Sequence, residues 1–210
     1  YYDVSLVGTQ NQKEANELFL KKLGYDNEEA LQLVEKLSAL ENDFGRTIWD
    51  DPANEFNTSM YYGYKSHSTY HSLIPKNVHR LFKEHYNTLH QGTVSVYQDY
   101  NRRLYLETAF SNQFYITMKD SQHVPYGYTK EFSTSTWDVY KNDFHLPIGF
   151  MYPNDAWMTD KTFTTLNFAE RDQAVLHAAV FHEEESALQS AKSTFNKEQL
   201  AVEKLNCNLQ

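Results

Sequence analysis

Asp50 and Asp51 stand side by side at the end of a strand-like segment and directly before Pro52. Two carboxylates can share general acid and general base work. Across a glycosidic bond they would need to lie ~5–9.5 Å apart on either side of a cleft. Adjacent residues of a strand point to opposite faces, so these two make a pair only if the turn redirects one. The plainer role of Asp-Asp-Pro is to cap local N–H groups in a turn. Arg46, on the same segment, could pair with either carboxylate or with an anionic ligand.

A second kind of chemistry is suggested by the polar and aromatic stretch that follows. It contains Asn57, Tyr61, Tyr62, Gly63, Tyr64, His67 and Tyr70. Tyrosine faces stack on sugar rings, while Asn and Asp bind hydroxyl groups, so Arg46, Asp50, Asn57, Tyr62, Tyr64 and Tyr70 form the candidate set for substrate binding. The same tyrosines would equally fill a partly wet core. Other signals are weaker. His67 and His71 are spaced for one helical face, but no HExxH motif is present, so neither a metal nor a cofactor is expected. Ser66, Ser68 and Ser72 lie near these histidines without a GxSxG elbow. Phosphate-cradling glycine motifs are absent, and no catalytic residue is assigned.

These side chains must be held by a chain of 210 residues with 19 Lys+Arg against 28 Asp+Glu, a formal charge of −9. That balance argues against nucleic acid and against polybasic docking to anionic lipid. A polyanionic ligand would need a local basic or neutral groove, for which Arg46, Arg102 and Arg103 are the candidates. One cysteine, Cys207, allows no internal disulfide. No apolar run approaches the ~20 residues of a spanning helix. The start, Tyr1-Tyr2-Asp3-Val4, has neither a signal peptide nor an initiator Met, which points to a piece of a longer protein.

Hydrophobic periodicity predicts helices over residues 12–23, from after Asp26 or Asn27 to about Leu40, from Pro75 onward, over 103–110 and over 169–182. Strands are expected over Phe44–Trp49, Phe114–Met118, Trp137–Tyr140 and Ile148–Tyr152, with loops and one helical turn over 54–72. Without a regular βαβ spacing, the expected class is α+β, a short mixed β-sheet packed against several amphipathic helices. Residues 1–43 read as an N-terminal helical segment, 44–182 as the core, and 183–210 as a polar helical tail ending in a strand signal at Leu205, Cys207 and Leu209.

Several segments, taken in order, carry a family resemblance. They are Phe44-Gly45-Arg46-Thr47-Ile48, then Asn57 to Tyr64, then Tyr70-His71-Ser72-Leu73. Phe114-Tyr115-Ile116, Pro125-Tyr126-Gly127-Tyr128, Val139-Tyr140-Lys141-Asn142 through Leu146-Pro147-Ile148-Gly149-Phe150, and Phe163 to Ala179 follow. Their order and spacing resemble the YfhO-like bacterial membrane proteins, although His71 stands where that pattern has serine. The resemblance implies a polytopic membrane protein related to GT-C glycosyltransferases, decorating cell-wall polymers such as lipoteichoic acid from a lipid-linked sugar in a Gram-positive bacterium. The expected catalytic acid of such enzymes lies between membrane helices outside this sequence. The chain would then be an extracellular domain at the bacterial cell membrane, whose partners are the membrane-spanning part of the same chain and a cell-wall glycopolymer. The rival reading is a stand-alone carbohydrate-binding module built on the tyrosines.

Overall fold

The computed structural model describes residues 27–41, 44–51, 57–88, 95–97, 99–153, 155–181, 193–196 and 200. The helix expected over 12–23 and the strand signal at 205–209 lie outside the described residues. The fold is α+β, with a small mixed sheet. Helix α1 (Glu28–Leu40) starts where its sequence says it should. The Asn27 side chain accepts a hydrogen bond from the Ala30 N–H, and Glu28 and Glu29 sit in the first turn. Its buried stripe, Ala30, Leu33, Val34 and Leu37, repeats at helical spacing.

That stripe packs on one face of a four-stranded sheet. The strands are β1 (Arg46–Asp50), β4 (Asn112–Met118), β5 (Tyr128–Ser133) and β6 (Trp137–Asn142), arranged β1-β4-β6-β5. β1 runs parallel to β4, while β4 and β5 each run antiparallel to β6. β4 is central and buried over nearly its whole length, so its middle, Phe114-Tyr115-Ile116, reads as an apolar run rather than an alternation. Trp49, Phe114, Ile116, Trp137 and Val139 meet α1 and complete the first core. β5 is an exposed edge strand with a bulge between Lys130 and Phe132. Lys130 and Glu131 suit an edge that must not pair with another chain, and the missing apolar alternation is why periodicity does not reveal this strand.

A second core forms from helices and short strands. Between β1 and β4 run α2 (Thr58–Tyr62), β2 (Thr69–Tyr70), α3 (Lys76–Arg80), β3 (Val96–Tyr97) and α4 (Leu104–Ala109). After the sheet come β7 (Trp157–Thr159), α5 (Asp160–Thr165), α6 (Phe168–His177) and β8 (Ala179–Phe181). The helix expected from Pro75 continues past α3 as a π turn, Leu81–His85, closed by Tyr86 N–H donating to Leu81 O at 3.1 Å. Phe82 and Tyr86 of this segment join Tyr97, Tyr100, Leu106, Met158, Phe163 and Ala174.

Two expectations need correction. Ile148–Tyr152 is not a strand. Pro147 and Pro153 flank it, and Ile148 and Met151 are 50% and 95% exposed, with no partner strand beside them among the described residues. The helix expected over 169–182 stops at His177. Ala178 is extended, and Ala179–Phe181 pairs in parallel with β7 instead.

Candidate functional site

β1 presents Arg46, Ile48 and Asp50 to the sheet face away from α1, and Trp49 to α1. Asp50 is exposed at the strand end and accepts a hydrogen bond from the Tyr115 hydroxyl at 2.5 Å. Asp51 is buried and accepts from Trp137 Nε1 at 2.7 Å on the opposite side. The two carboxylates therefore face different partners among the described residues. The adjacent-Asp hydrolase arrangement does not form. Half-buried Arg46 donates from Nη1 to the Phe110 carbonyl at 2.8 Å, which binds the start of β1 to the turn after α4.

The candidate tyrosines divide by burial. Tyr62 is 7% exposed and stacks on Trp49 with ring centres 6.0 Å apart. Tyr64 lies 5.6 Å from the same indole and shares a hydrogen bond with the Thr58 hydroxyl. Burial pushes the Tyr64 phenol up to about 12. Tyr61 and Tyr70 stay exposed. Trp49 is thus the hub of the Tyr62 and Tyr64 rings, which face the core rather than forming an open stacking platform. Asn57 is a clamp. It holds a left-handed backbone, φ 71°, while its Oδ1 accepts from Thr69 Oγ1 at 2.8 Å and Tyr70 N–H at 3.0 Å.

The sheet face that carries Asp50 also assembles residues that the sequence did not single out. Tyr115 packs edge-on to Tyr128 at 5.8 Å. The Tyr128 hydroxyl lies beside the Glu107 carboxyl and the Asn142 amide. Glu107, on α4, is fully buried. Desolvation raises its pKa to about 7, and the charge of Asp99 pushes the same way, against the Tyr128 hydrogen bond and the charge of Arg102. On this face Asp50, which accepts from the Tyr115 hydroxyl, marks the open end, and buried Glu107, beside Tyr128, marks the sealed end. The open end can bind hydroxyl groups. The sealed end holds an acid close to its midpoint at neutral pH. One signal was available in the sequence: Glu107 is the single acid in the segment Leu104-Tyr105-Leu106-Glu107-Thr108-Ala109-Phe110. The pairing with Tyr128 was not, because it crosses from a helix to a strand distant in the chain.

The three arginines proposed for a basic groove are not gathered. Arg46 is engaged at Phe110, and Arg103 donates in a fork to Asp172, with Nε–Oδ2 at 2.7 Å. Arg102 is exposed, with Nη1 3.1 Å from His123 Nδ1, and its charge acts on the Tyr115 phenol. His67 is inward, with Nε2 3.2 Å from the Phe110 carbonyl. Burial lowers it to about 4, and Arg46 adds to the effect. Among the described residues no group of three or more His, Cys, Asp or Glu converges as a metal site, and no helix is long and apolar enough to cross a membrane.

Comparison with known proteins defines the class. The family model described as "Bacterial membrane protein YfhO" matches residues 1–209, and the chain belongs to this family of bacterial membrane proteins. A relative in Bacillus subtilis (strain 168), named "Uncharacterized protein YfhO", is 27% identical over 168 residues. The match covers 77% of this chain and 19% of the relative, so the chain spans less than a quarter of that protein's length. No solved structure matches.

Proposed function

We propose that this chain is the extracellular domain of a polytopic YfhO-family protein in a Gram-positive bacterium. In this reading it is an accessory, acceptor-positioning part of a glycosyltransferase that modifies cell-wall polymers such as lipoteichoic acid. Chemistry belongs to the membrane-spanning part, and no residue here is assigned a catalytic role. One observation carries the reading. A chain matched to a membrane-protein family over residues 1–209 corresponds to only 19% of a relative, leaving most of such a protein to hold the bilayer-spanning part. The open end of the Asp50–Tyr115 face supports an acceptor role, because an exposed carboxylate and a phenol can bind sugar hydroxyls. The stand-alone module loses its main support, since the Tyr62 and Tyr64 rings lie against Trp49.

The test uses the full-length protein in its own cells. Asp50→Ala and Arg102→Ala are each introduced, protein level is followed by immunoblot, and the sugar content of extracted lipoteichoic acid is measured by NMR. Severalfold less sugar at normal protein level is the expected result. Unchanged sugar content in both variants and in a strain deleted for the gene would remove the polymer as the product.

A further inference from the structure

Ten consecutive residues, Phe144 to Pro153, contain no Asp, Glu, Lys or Arg, in a chain where charged residues make up 22%. They form neither strand nor helix, yet the segment is stapled at both ends. At one end Phe144 N–H donates to Asn142 Oδ1 at 2.9 Å, and Leu146 N–H reaches the Thr108 carbonyl at 3.4 Å. At the other the Tyr152 hydroxyl donates to the Val175 carbonyl, and Phe150 packs edge-on to Tyr152 at 5.1 Å. Between these anchors the apolar tips point outward: Phe144 is 57% exposed, Ile148 50% and Met151 95%.

A neighbouring turn extends the patch. Gly127 holds φ 84°, and a Cβ there would come within 3.3 Å of Phe144 Cδ2 and 2.9 Å of Leu104 Cδ2. The glycine lets the turn close on Phe144 and leaves Tyr126, 84% exposed, beside it. Fixed, uncharged and outward apolar side chains are unfavourable in water unless another surface covers them.

We infer that this loop, with Tyr126 at its rim, seats in the interfacial layer of the lipid bilayer that carries the parent protein. Membership of a membrane-protein family puts a bilayer within reach, independently of any glycosyl transfer. The chemistry also selects lipid. The outward tips of the loop offer carbon and aromatic edges, as interfacial anchors do, while the one carboxylate at their rim, Asp143, is engaged by the Thr129 hydroxyl at 2.7 Å. It is also a segment free of acids in a chain of net charge −9, so contact there brings no carboxylate of the loop against anionic headgroups. Seated this way, the loop holds the adjacent Asn142–Tyr128–Tyr115–Asp50 face next to the headgroups.

The 210-residue chain can be tested directly. It is tethered by a C-terminal hexahistidine tag to phosphatidylcholine vesicles containing a nickel-chelating lipid, so that weak insertion is not lost to dilution. An environment-sensitive fluorophore is placed at Met151→Cys in a Cys207→Ser background, with Glu35→Cys as the control position. The expected result is severalfold brighter, blue-shifted emission at position 151, quenched by brominated acyl chains and insensitive to salt, with no change at position 35. Ile148→Asp should abolish the response while leaving the circular dichroism spectrum unchanged. Emission at position 151 that stays water-like, or that matches position 35, overturns the inference. A response that grows with protein density but is untouched by brominated lipid assigns the loop to a second copy of the chain and also overturns it.

Discussion

Glu107 is sealed between α4 and the sheet, and its buried carboxyl sets a pH dependence whose sign follows from linkage. Its folded pKa is about 7 against an ordinary 4.5. Between those values the folded state keeps a proton that the unfolded state has released, so this contribution falls as pH rises through the window. His67 acts in the opposite sense. Burial holds it near 4 rather than 6.5, so the unfolded chain takes up a proton first and stability falls as pH drops through that range. Glu107→Gln removes only the first effect. The variant is expected to match the parent near pH 4 and to exceed it at pH 8 by on the order of 3 kcal/mol in urea unfolding. A gain of equal size at both pH values would contradict the assignment. At lower pH, Asp138 and Glu29 govern. Hydrogen bonds, from Lys130, Ser133 and Asp120 N–H to Asp138 and from Thr134, Ser135 and Thr136 to Glu29, outweigh desolvation and hold both at about 2. Their stabilisation is present above their ordinary carboxylate range and is lost as pH falls toward 2.

The elements owe their boundaries to local chemistry and their positions to close approach. α6 is opened by a reciprocal cap, in which Asn167 Oδ1 accepts from Glu170 N–H and the Glu170 carboxylate accepts from Asn167 N–H. β1 reaches β4 so closely that a Cβ on Gly45 would meet Gln113 Oε1 at 2.2 Å and Gln113 Cβ at 2.7 Å. Gln113 is 1% exposed and has no room to retreat. Gly45→Ala is therefore expected to cost about 1–3 kcal/mol by overpacking. Gly149 makes the contrast, because nothing lies within 4 Å of its added Cβ. Gly149→Ala should stay within about 0.5 kcal/mol of the parent. Equal unfolding midpoints for both variants would show that the β1–β4 approach is not limiting.

At the scale of the molecule, the helical elements around the second core must be held together, and Arg103 does part of this. Its guanidinium donates to both Asp172 oxygens on α6 and to the Tyr86 carbonyl after the π turn. Burial raises the Asp172 pKa while the Arg103 hydrogen bonds and charge oppose that shift. Arg103→Ala leaves a largely buried carboxylate and a carbonyl without their donor, an expected loss of about 3–5 kcal/mol. Arg103→Ala with Asp172→Ala should recover part of that loss, and Arg103→Lys should fall between, since an ammonium cannot reproduce the fork. Urea titrations of these three variants and of Asp172→Ala alone test this, and additivity of the two alanine substitutions would deny the coupling.

The sequence by itself determined what depends on neighbours along the chain. The Asn27 cap, the Ala30-Leu33-Val34-Leu37 stripe and the apolar run Phe114-Tyr115-Ile116 each carry their own local pattern, so α1, β4 and the α+β class were legible. The order of motifs likewise carried the family. The tertiary structure alone decided which way long side chains are spent. Tyr62 and Tyr64 turn inward because Trp49 lies across from them, and Arg46 and Arg103 are consumed by partners far away in sequence. Ile148 and Met151 are left outward, and among the described residues no strand pairs with this segment. The reason is physical. Caps and periodicity are set by hydrogen bonds and turns within a few residues, whereas burial and pairing of a side chain depend on what the rest of the fold brings beside it.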